Sequence, residues 1–575
     1  MEKNLKRSLI KIFDSVTKML YGKTFPIVIS LTPKIEQGDF AIACIPLAKP
    51  LSKNPALIAK EIADEISKNL PNILMTVRSD GPYLNFRLRR GKLIYGDSRE
   101  ESENKRRMTM VEYLSPNTNK PLHVGHLRNG CIGMSLANIL AYTGQDVVRA
   151  NLVNDRGIHI CKSMLAWKKW GNGATPESSG IKGDHFVGDY YVLYSQKQKE
   201  NPEIEEESYD MLRKWEEGDP EIYALWDMMN SWVYDGFAET YERLGFVFDR
   251  MYYESFTYKL GKDLVDLGLE KGVFRKDKKG NVVFLMPEKY GLQKDGERKV
   301  VTVLRPDGTS VYITQDLGTA KRKVDDEVLD KSIYVVGTEQ DYHFQCLFEM
   351  LKALGFDWAA NCHHVSYGMV RLPDGKMKSR EGTKVDSDEL LDEVFIYACE
   401  ELRGRYSDLS DKEIEERAYK ISVGAVKFFF LRVKANKDIL FDKKESISFD
   451  GFTGPYCQYA YARILSILKK MGLESETLIE PDYDLLQEKT ELYLARQIYL
   501  FNEEVSKAAE THNPAHVASY VFELARAFNQ FYNKHSVINT EDKELKSARV
   551  GLIKRAAENI QKGLKLLGID ILEKM

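Results

Sequence analysis

The start of the chain has apolar side chains at helical and strand spacing. One predicted helix has apolar residues every three or four positions, at Leu5, Leu9, Phe13, Val16 and Leu20. A second is predicted from Asn54, an N-cap residue type, with Pro55 at the first helical position. The segments FPIVISL (25–31) and YLNFRL (83–88) are typical of strands. These elements predict a small α/β domain.

A strand-helix-strand pattern follows a polar, charge-dense linker over 95–107. The strand MTMVEYL (108–114) leads through a loop to an apolar-periodic segment from Leu122 to Tyr142, with Gly144 as the expected stop. The strand VVRANLV (147–153) comes next. This order is that of a βαβ unit with parallel strands.

The predicted secondary structure changes twice in the later part of the chain. Glycine- and glutamate-rich stretches followed by helical patterns predict an insertion over about 171–255. The α/β pattern resumes with VYITQDLG (311–318) and SIYVVG (332–337). Strand signals disappear after residue 385, which predicts an all-α region from there to the last residue.

The predicted fold class is α/β. A doubly wound, Rossmann-like parallel-sheet catalytic domain is expected between an N-terminal α/β domain and a C-terminal helical bundle. We expect boundaries at 1–100, 101–390 with the insertion, 391–450 for a helical connecting region and 451–575 for the bundle. A length of 575 residues agrees with several domains, since one core rarely organises so long a chain.

Composition places the chain among cytoplasmic globular proteins. Hydrophobic residues make up 43% and charged residues 29%, and neither a signal peptide nor a membrane span is evident. Seven cysteines without a C-x-x-C pair predict buried, reduced thiols rather than disulfides or a zinc site. The net charge of −3 gives no electrostatic indication of nucleic-acid binding, although a local basic patch stays possible.

Two segments carry candidate chemistry. SPNTNKPLHVGHLRNG (115–130) lies between a strand and a helix, where doubly wound folds bind ligands, and its two histidines at 123 and 126 could hold a polyphosphate. GKMKSREGT (375–383) is a glycine-bracketed cationic loop suited to a pyrophosphate leaving group. Each alone could be an ordinary helix start or a solvated turn, and their joint presence favours a nucleotide site.

HVGH and KMKSR resemble the two signature motifs of class I aminoacyl-tRNA synthetases. The longer string 115–130 resembles the arginyl-tRNA synthetase version, as do GDFA (38–41), GPYLNFRL (81–88), LVNDRG (152–157), YITQDLG (312–318), GTEQDYHFQ (337–345) and TGPYCQYAYAR (453–463). The resemblance implies two steps: arginine and ATP give arginyl-adenylate and pyrophosphate, and a hydroxyl of the terminal adenosine of tRNA(Arg) then accepts the arginyl group. It also implies Mg-ATP, L-arginine and tRNA(Arg) as partners. We expect no protein-bound metal, no membrane association and a monomer.

The resemblance also implies roles for individual residues. Arginine would be bound by Glu112, Asn117, Tyr312, Asp316 and Gln340. A guanidinium group requires carboxylates, which suits the acidic pair of Glu112 and Asp316, although each could be a surface or N-capping carboxylate. ATP would be bound and activated by Lys120, His123, Gly125, His126, Lys376, Lys378, Ser379 and Arg380. The usual K-M-S-K order has a lysine where this chain has Ser379, so the lysine that meets pyrophosphate stays undecided.

The helical tail resembles the anticodon-binding domain of the family. Tyr456, Tyr459 and Arg463 would share one helix face, which suits stacking on splayed bases, although the tyrosines could instead pack between helices. Met575 matches a family position near the anticodon. The N-terminal domain resembles the module that contacts the tRNA corner at the D-loop. Two alternatives stay open: a class I synthetase for another amino acid, and a catalytically silent paralogue that only binds RNA or a partner.

Overall fold

The computed structural model describes residues 5–95, 107–293, 296–371, 385–472 and 481–574. The predicted loop residues Lys376, Lys378, Ser379 and Arg380, the terminal Met575 and most of the predicted linker lie outside these ranges.

The N-terminal part packs helices against one face of an antiparallel sheet. The strands, in sheet order, are Ile29–Leu31, Phe40–Ala43, Tyr83–Leu88 and Leu74–Asp80. The helices are Leu5–Tyr21, Ile45–Leu51, Pro55–Lys68 and Arg90–Tyr95. Asn54 caps its helix as predicted, since its side chain accepts the Ala56 N–H at 2.8 Å. The strand predicted over 25–31 is shorter than expected and includes only Ile29–Leu31, and Pro26 has no N–H to donate to a neighbouring strand.

A five-stranded parallel sheet forms the centre of the chain. In sheet order its strands are Cys362–Tyr367, Lys331–Gly337, Met108–Glu112, Asp146–Val153 and Arg250–Tyr253, and every neighbouring pair is parallel. Numbered along the chain, this is the order 3-2-1-4-5 of a doubly wound fold, which confirms the predicted fold class. The strand order reverses between Met108–Glu112 and Lys331–Gly337, where such folds bind ligands.

Two groups of additional elements lie between strands of this sheet along the chain. After Ile158–Trp170 come the insertion helices Pro176–Ser179, Gly183–Glu200, Ile204–Glu217 and Pro220–Leu244. The strand Arg250–Tyr253, at one edge of the central sheet, falls within the predicted insertion. It nevertheless pairs with Asp146–Val153 and belongs to this sheet. A second insertion, which the sequence did not predict, contains the helices Glu254–Thr257 and Gly261–Glu270 and the antiparallel strands Phe274–Lys276, Val282–Leu285 and Val300–Leu304. The helices Tyr312–Glu327 and Asp341–Ala353 then flank Lys331–Gly337.

From residue 385 onwards the described chain is helical, as predicted, apart from the two-residue strand Ile439–Leu440. The helices are Ser387–Arg405, Asp411–Leu431, Lys443–Ser446, Gly454–Lys470, Lys489–Tyr499, Phe501–Glu510, Ala515–Lys534 and Lys543–Leu566. Ile439–Leu440 pairs with Val370–Arg371. The buried Arg128 side chain donates to the carbonyl oxygens of Gly368, Ala435 and Lys437, so it fixes the central helix Val124–Tyr142 to this pairing.

Candidate active site

The two motif histidines build the start of helix Val124–Tyr142. His123 is the N-cap residue, and its Nδ1 accepts the Gly125 N–H at 3.2 Å. His126 returns the interaction, because its Nδ1 accepts the His123 N–H at 3.1 Å. The two imidazole rings stack with centroids 3.8 Å apart. This is a capping box made by histidines, so the pair has a structural function in addition to any chemistry.

These bonds fix the tautomer of both rings. Each Nδ1 accepts a backbone N–H and therefore carries no proton, so a neutral imidazole holds its hydrogen on Nε2. Gly125 suits the same geometry, since a Cβ there would lie 3.0 Å from the Nδ1 and Cε1 atoms of His123 and the ring would have to shift. The local sequence thus presents two Nε2 donors at a helix N-terminus, where the backbone favours negative charge.

The turn before this helix is held by two amide side chains. Leu114 and Ser115 have positive φ values of 80° and 47°, which are unfavourable for residues other than glycine. Their N–H groups donate to the side chains of Asn129, at 2.6 Å, and Asn151, at 3.1 Å. Because these amides stabilise the strained backbone, the chain can leave the strand Met108–Glu112 abruptly and bring the loop 115–121, in which Asn117 is exposed and Thr118 and Asn119 are buried, to the carboxyl edge of the sheet.

A cavity of about 1670 Å³ lies at this edge, at the topological switch point. Seven of the predicted site residues line it: Glu112, Asn117, Lys120, His123, Tyr312, Asp316 and Gln340. Gly125 and His126 are not among its lining residues and lie in the first helical turn behind His123. The insertion contributes one wall, which includes His185, Tyr191 and Tyr209. Residues predicted from distant segments are therefore brought together around one space.

Glu112 already has a cationic partner. Its carboxylate contacts the ammonium group of Lys323, and 6% and 2% of the two side chains are exposed. Lys323 also lies near the rings of Tyr252 and Tyr334, at 5.6 and 5.3 Å from their centroids. The charge of Glu112 is thus compensated within the protein, which leaves less of it for a bound guanidinium than the sequence analysis expected.

Glu254 is a cavity carboxylate that the sequence analysis missed. It directly follows the strand Arg250–Tyr253, and it lines the same cavity as Asp316. Burial raises the pKa of Glu254 to about 7; Arg156, whose Nη1 lies 3.9 Å away, opposes the rise, and the nearby charges of Asp155 and Asp316 add to it. A signal was present in the sequence, because an acidic residue ends the strand-like run RMYY. Assigning this run to the insertion concealed it.

A buried aspartate fixes the backbone next to Glu254. The Asp155 carboxylate accepts the Ser255 N–H at 2.8 Å, the Ser255 hydroxyl at 2.6 Å and the Tyr234 hydroxyl at 3.0 Å. Its carbonyl oxygen accepts the Trp226 indole N–H at 2.6 Å. Asp155 thereby joins the end of strand Asp146–Val153, the insertion helix Pro220–Leu244 and the segment that carries Glu254.

Asp316 and Tyr312 lie one turn apart on the helix Tyr312–Glu327. Asp316 Oδ2 lies 2.5 Å from His343 Nε2, and 34% of the Asp316 side chain is exposed. Tyr312 begins the helix and is 78% exposed. Gln340 occupies the N-cap position of the next helix, Asp341–Ala353. Asp316, Tyr312 and Gln340 all line the cavity, and Asp316 is the acidic group among them.

The three predicted RNA-contacting residues of the tail share one face of helix Gly454–Lys470. Arg463 Nη2 donates to the Tyr459 hydroxyl at 2.9 Å, and the guanidinium lies 4.5 Å from the centroid of the Tyr459 ring. The Tyr456 hydroxyl accepts an N–H from Asn529 at 2.9 Å, and its ring packs on Phe522. All three are half-buried, so part of this face is available to a partner.

Two further features of the described residues are the state of the cysteines and the length and hydropathy of the helices. All seven cysteines are buried and unpaired with one another, as predicted. No helix within the described ranges is long and apolar enough to span a bilayer.

Three family models match successive parts of the chain. Residues 1–88 match the arginyl tRNA synthetase N terminal domain, residues 92–443 the catalytic domain of class I (R) tRNA synthetases, and residues 457–575 the DALR anticodon binding domain. The catalytic match alone covers more than half of the 575 residues.

Individual relatives agree with these matches. An arginine–tRNA ligase of Parabacteroides distasonis is 43% identical over 97% of this chain and 98% of its own length. One from Bacteroides fragilis is 43% identical over 99% of both chains. The solved arginyl-tRNA synthetase of Thermus thermophilus covers 100% of both chains with a TM-score of 0.79 and 26% identity. A methionyl-tRNA synthetase of Mycobacterium tuberculosis, 12% identical with a TM-score of 0.51, shares the fold alone.

Because the catalytic-domain model matches more than half of the chain and relatives over 40% identical match nearly its full length, the chain belongs to the class I arginyl-tRNA synthetase family.

Proposed function

We propose that this protein ligates L-arginine to tRNA(Arg). An arginine carboxylate oxygen attacks the α-phosphorus of ATP, pyrophosphate leaves, and arginyl-adenylate forms. A hydroxyl of the terminal tRNA adenosine then attacks the arginyl carbonyl, and AMP leaves. The observation that carries the proposal is the single cavity in which Glu254 and Asp316 face the same space as His123 and Lys120. Neither step needs a covalent enzyme intermediate, so positioning and electrostatics supply the catalysis.

Glu254 and Asp316 are the proposed carboxylates for the guanidinium group. They come from two different elements, and Asp316 is close enough for its charge to contribute to the raised pKa of Glu254. A guanidinium placed between them would relieve this repulsion and gain charge-assisted hydrogen bonds. The exposed Tyr312 ring could cover the guanidinium plane. Glu112 also lines the cavity, but its carboxylate is paired with Lys323, so we propose that it supports the site through this pair rather than as a main guanidinium contact.

ATP is proposed to bind beside His123 and Lys120, which line the same cavity, where the N-terminus of helix Val124–Tyr142 adds the positive end of its dipole. His126 supports His123 through the capping box, and Gly125 leaves room for the His123 ring. Asn117 and Gln340 can serve the amino and carboxylate groups of arginine. We retain Lys376, Lys378, Ser379 and Arg380 as ATP contacts on the strength of the motif, with magnesium entering as Mg-ATP.

The helical region is the proposed reader of the anticodon. Its support is the match of 457–575 to an anticodon binding domain and the half-buried face of Tyr456, Tyr459 and Arg463. Met575 remains a further proposed contact. We propose that the enzyme works as a monomer in the cytoplasm, where a reducing environment suits the buried free thiols; sedimentation of the purified protein tests the first part.

The decisive experiment is aminoacylation of total tRNA with each of the twenty amino acids in separate reactions. Arginyl-tRNA is the expected product, formed only when ATP is present. A product with another amino acid would assign the chain to a different specificity. Failure of arginine-dependent pyrophosphate exchange in the presence of tRNA would instead indicate a catalytically silent paralogue.

A further inference from the structure

A cluster of charged side chains joins the insertion to the start of helix Ser387–Arg405. Lys182 and His185 lie at the start of helix Gly183–Glu200, and Asp386 and Asp388 lie at the start of helix Ser387–Arg405. His185 Nε2 lies 3.2 Å from Asp388 Oδ2 and 3.6 Å from Asp386 Oδ2. Lys182 Nζ lies 2.8 Å from Asp388 Oδ2. Each of these contacts joins two side chains that lie more than 200 residues apart in the sequence.

The same segment is joined to the start of the catalytic helix through its backbone. The Val124 N–H donates to the Val385 carbonyl at 3.0 Å, and the Ser387 N–H donates to the Leu122 carbonyl at 3.0 Å. These two bonds lie on either side of His123, which bridges to Asp386. Asp386 therefore has two neighbours: the backbone of His123 on one side and the imidazole of His185 on the other.

Asp386 also fixes its own helix. Its Oδ1 accepts the N–H groups of Asp388, at 2.8 Å, and Glu389, at 3.1 Å, so the carboxylate is oriented before it meets His185. With one oxygen engaged in this cap, the other is directed to the insertion. The rigid capped carboxylate makes the cluster a connection of defined geometry rather than a loose surface pair.

The charges in the cluster call for a protonated imidazole. Burial alone would lower the pKa of His185, yet the hydrogen bond to Asp388 and the charges of Asp386 and Asp184 raise it to about 9. Lys182 lies beside Asp184 and Asp388, whereas Arg243 lies 3.9 Å from Asp388 and pairs more closely with Asp392, at 2.6 Å. Burial raises the pKa of Asp386 to about 6, so this carboxyl is charged at neutral pH, and His185 is the positive group that faces it.

A metal ion is a poorer explanation of this cluster. Ligand atoms of Asp184, His185 and Asp388 do lie within 4.8 Å of one another. The ammonium group of Lys182, however, already lies 3.3 Å from Asp184 Oδ1 and 2.8 Å from Asp388 Oδ2. A divalent cation bound by the same oxygens would be repelled by this lysine.

We propose that His185 is a positioning residue for adenylate formation: as an imidazolium held between Asp386 and Asp388, it fastens the insertion to the segment that brackets His123, and so fixes His123 against ATP. This inference rests on the proposed function. It predicts an effect on the rate of activation rather than on arginine affinity, because the proposed guanidinium carboxylates Glu254 and Asp316 belong to other elements.

The test is arginine-dependent ATP–pyrophosphate exchange with tRNA present, on the full-length protein and on H185Q, from pH 7 to pH 10. In the wild type, kcat should decline around pH 9 as His185 loses its proton. H185Q should lower kcat at pH 7.5 by about 10-fold, since small misplacements of reacting groups are costly, with the arginine KM unchanged and the decline near pH 9 removed. H185K, which keeps a cation, should recover part of kcat. K168Q, which removes an exposed lysine that pairs helix Ile158–Trp170 with Glu221 of an insertion helix, is the matched control and should behave as wild type.

Two results would overturn the inference. The first is an active wild type with an H185Q variant of equal kcat and identical pH profile. If H185Q cannot be recovered folded, D388N decides, because losing this partner should move the decline to lower pH by about one unit; an unmoved midpoint is the second contrary result. A wild type without exchange would overturn the proposed function itself, which separates the two failures.

Discussion

The ammonium group of Lys323 contacts the carboxylate of Glu112 at the end of the first strand of the parallel sheet, and both side chains are almost completely buried. Replacing Glu112 by glutamine would leave a buried lysine without its counter-charge. We expect E112Q to lower the free energy of unfolding by about 3–5 kcal/mol, the usual cost of breaking such a pair. Chemical denaturation measures this.

The control for E112Q is the double variant E112L/K323M, which removes both charges and should recover most of the lost stability. If E112Q is as stable as the wild type and instead raises the arginine KM, Glu112 binds the substrate directly, as the sequence motif suggested.

Glu254 should determine arginine affinity and its dependence on pH. E254Q removes one charged hydrogen bond and should raise the arginine KM by about 10-fold to 100-fold. Because the pKa of Glu254 in the free protein is about 7, its carboxylate gains a proton as the pH falls from 8 to 6. The wild-type arginine KM should therefore rise towards pH 6, and that of E254Q should change less. Equal pH profiles for the two proteins would refute the assignment.

His123 combines a capping function with a proposed donor function, and asparagine can separate the two. Asparagine is a favourable N-cap residue, so H123N should keep the helix start and change the melting temperature little. It lacks the Nε2 donor, and we expect kcat for pyrophosphate exchange to fall by about 100-fold. A variant with wild-type kcat would show that the imidazole only caps the helix.

Gly125 should be needed for activity rather than for stability. A Cβ at this position would lie 3.0 Å from two atoms of the His123 ring, so G125A should displace the imidazole and reduce kcat by about 10-fold. The matched control is G404A, at a helical glycine where a Cβ meets nothing within 4 Å. It should stabilise the protein by about 0.5–1 kcal/mol and leave kcat unchanged. Equal activity of the two variants would argue against a tight site at Gly125.

Arg463 should affect tRNA binding without affecting arginine. R463M removes the guanidinium that stacks on Tyr459 and bonds to Asn529, and we expect the tRNA KM to rise by about 10-fold. The arginine KM should not change. R526M, which removes an exposed arginine paired with Glu523 in the same region, is the control. A loss of tRNA affinity in both variants would point to general charge rather than to this face.

Local patterns predicted much of the architecture. The cap at Asn54, the helix from Val124 to Tyr142 and the βαβ order followed from spacing and residue type, because these are properties of neighbouring residues. The helix Tyr312–Glu327 begins within VYITQDLG, where the sequence predicted a resumed α/β pattern without a helix, because its start carries β-branched and aromatic residues and its helical form depends on tertiary packing. The strand Arg250–Tyr253 was assigned to the insertion because four residues carry too little periodicity to indicate which sheet they join.

The amino-acid sequence is enough to identify the candidate chemical groups, namely the histidine pair at a helix start, the acidic residues, and the family motifs with their order along the chain. Which of the charged groups already have a partner depends on the folded structure. Glu112 meets Lys323 across 211 residues, and His185 meets Asp388 across 203. Asp316 contacts His343 and Glu254 lies 3.9 Å from Arg156, yet both carboxylates line the shared cavity. Whether a carboxylate is available to a substrate depends on its neighbours in space, and electrostatic interaction falls with distance through the folded protein, not with separation along the chain.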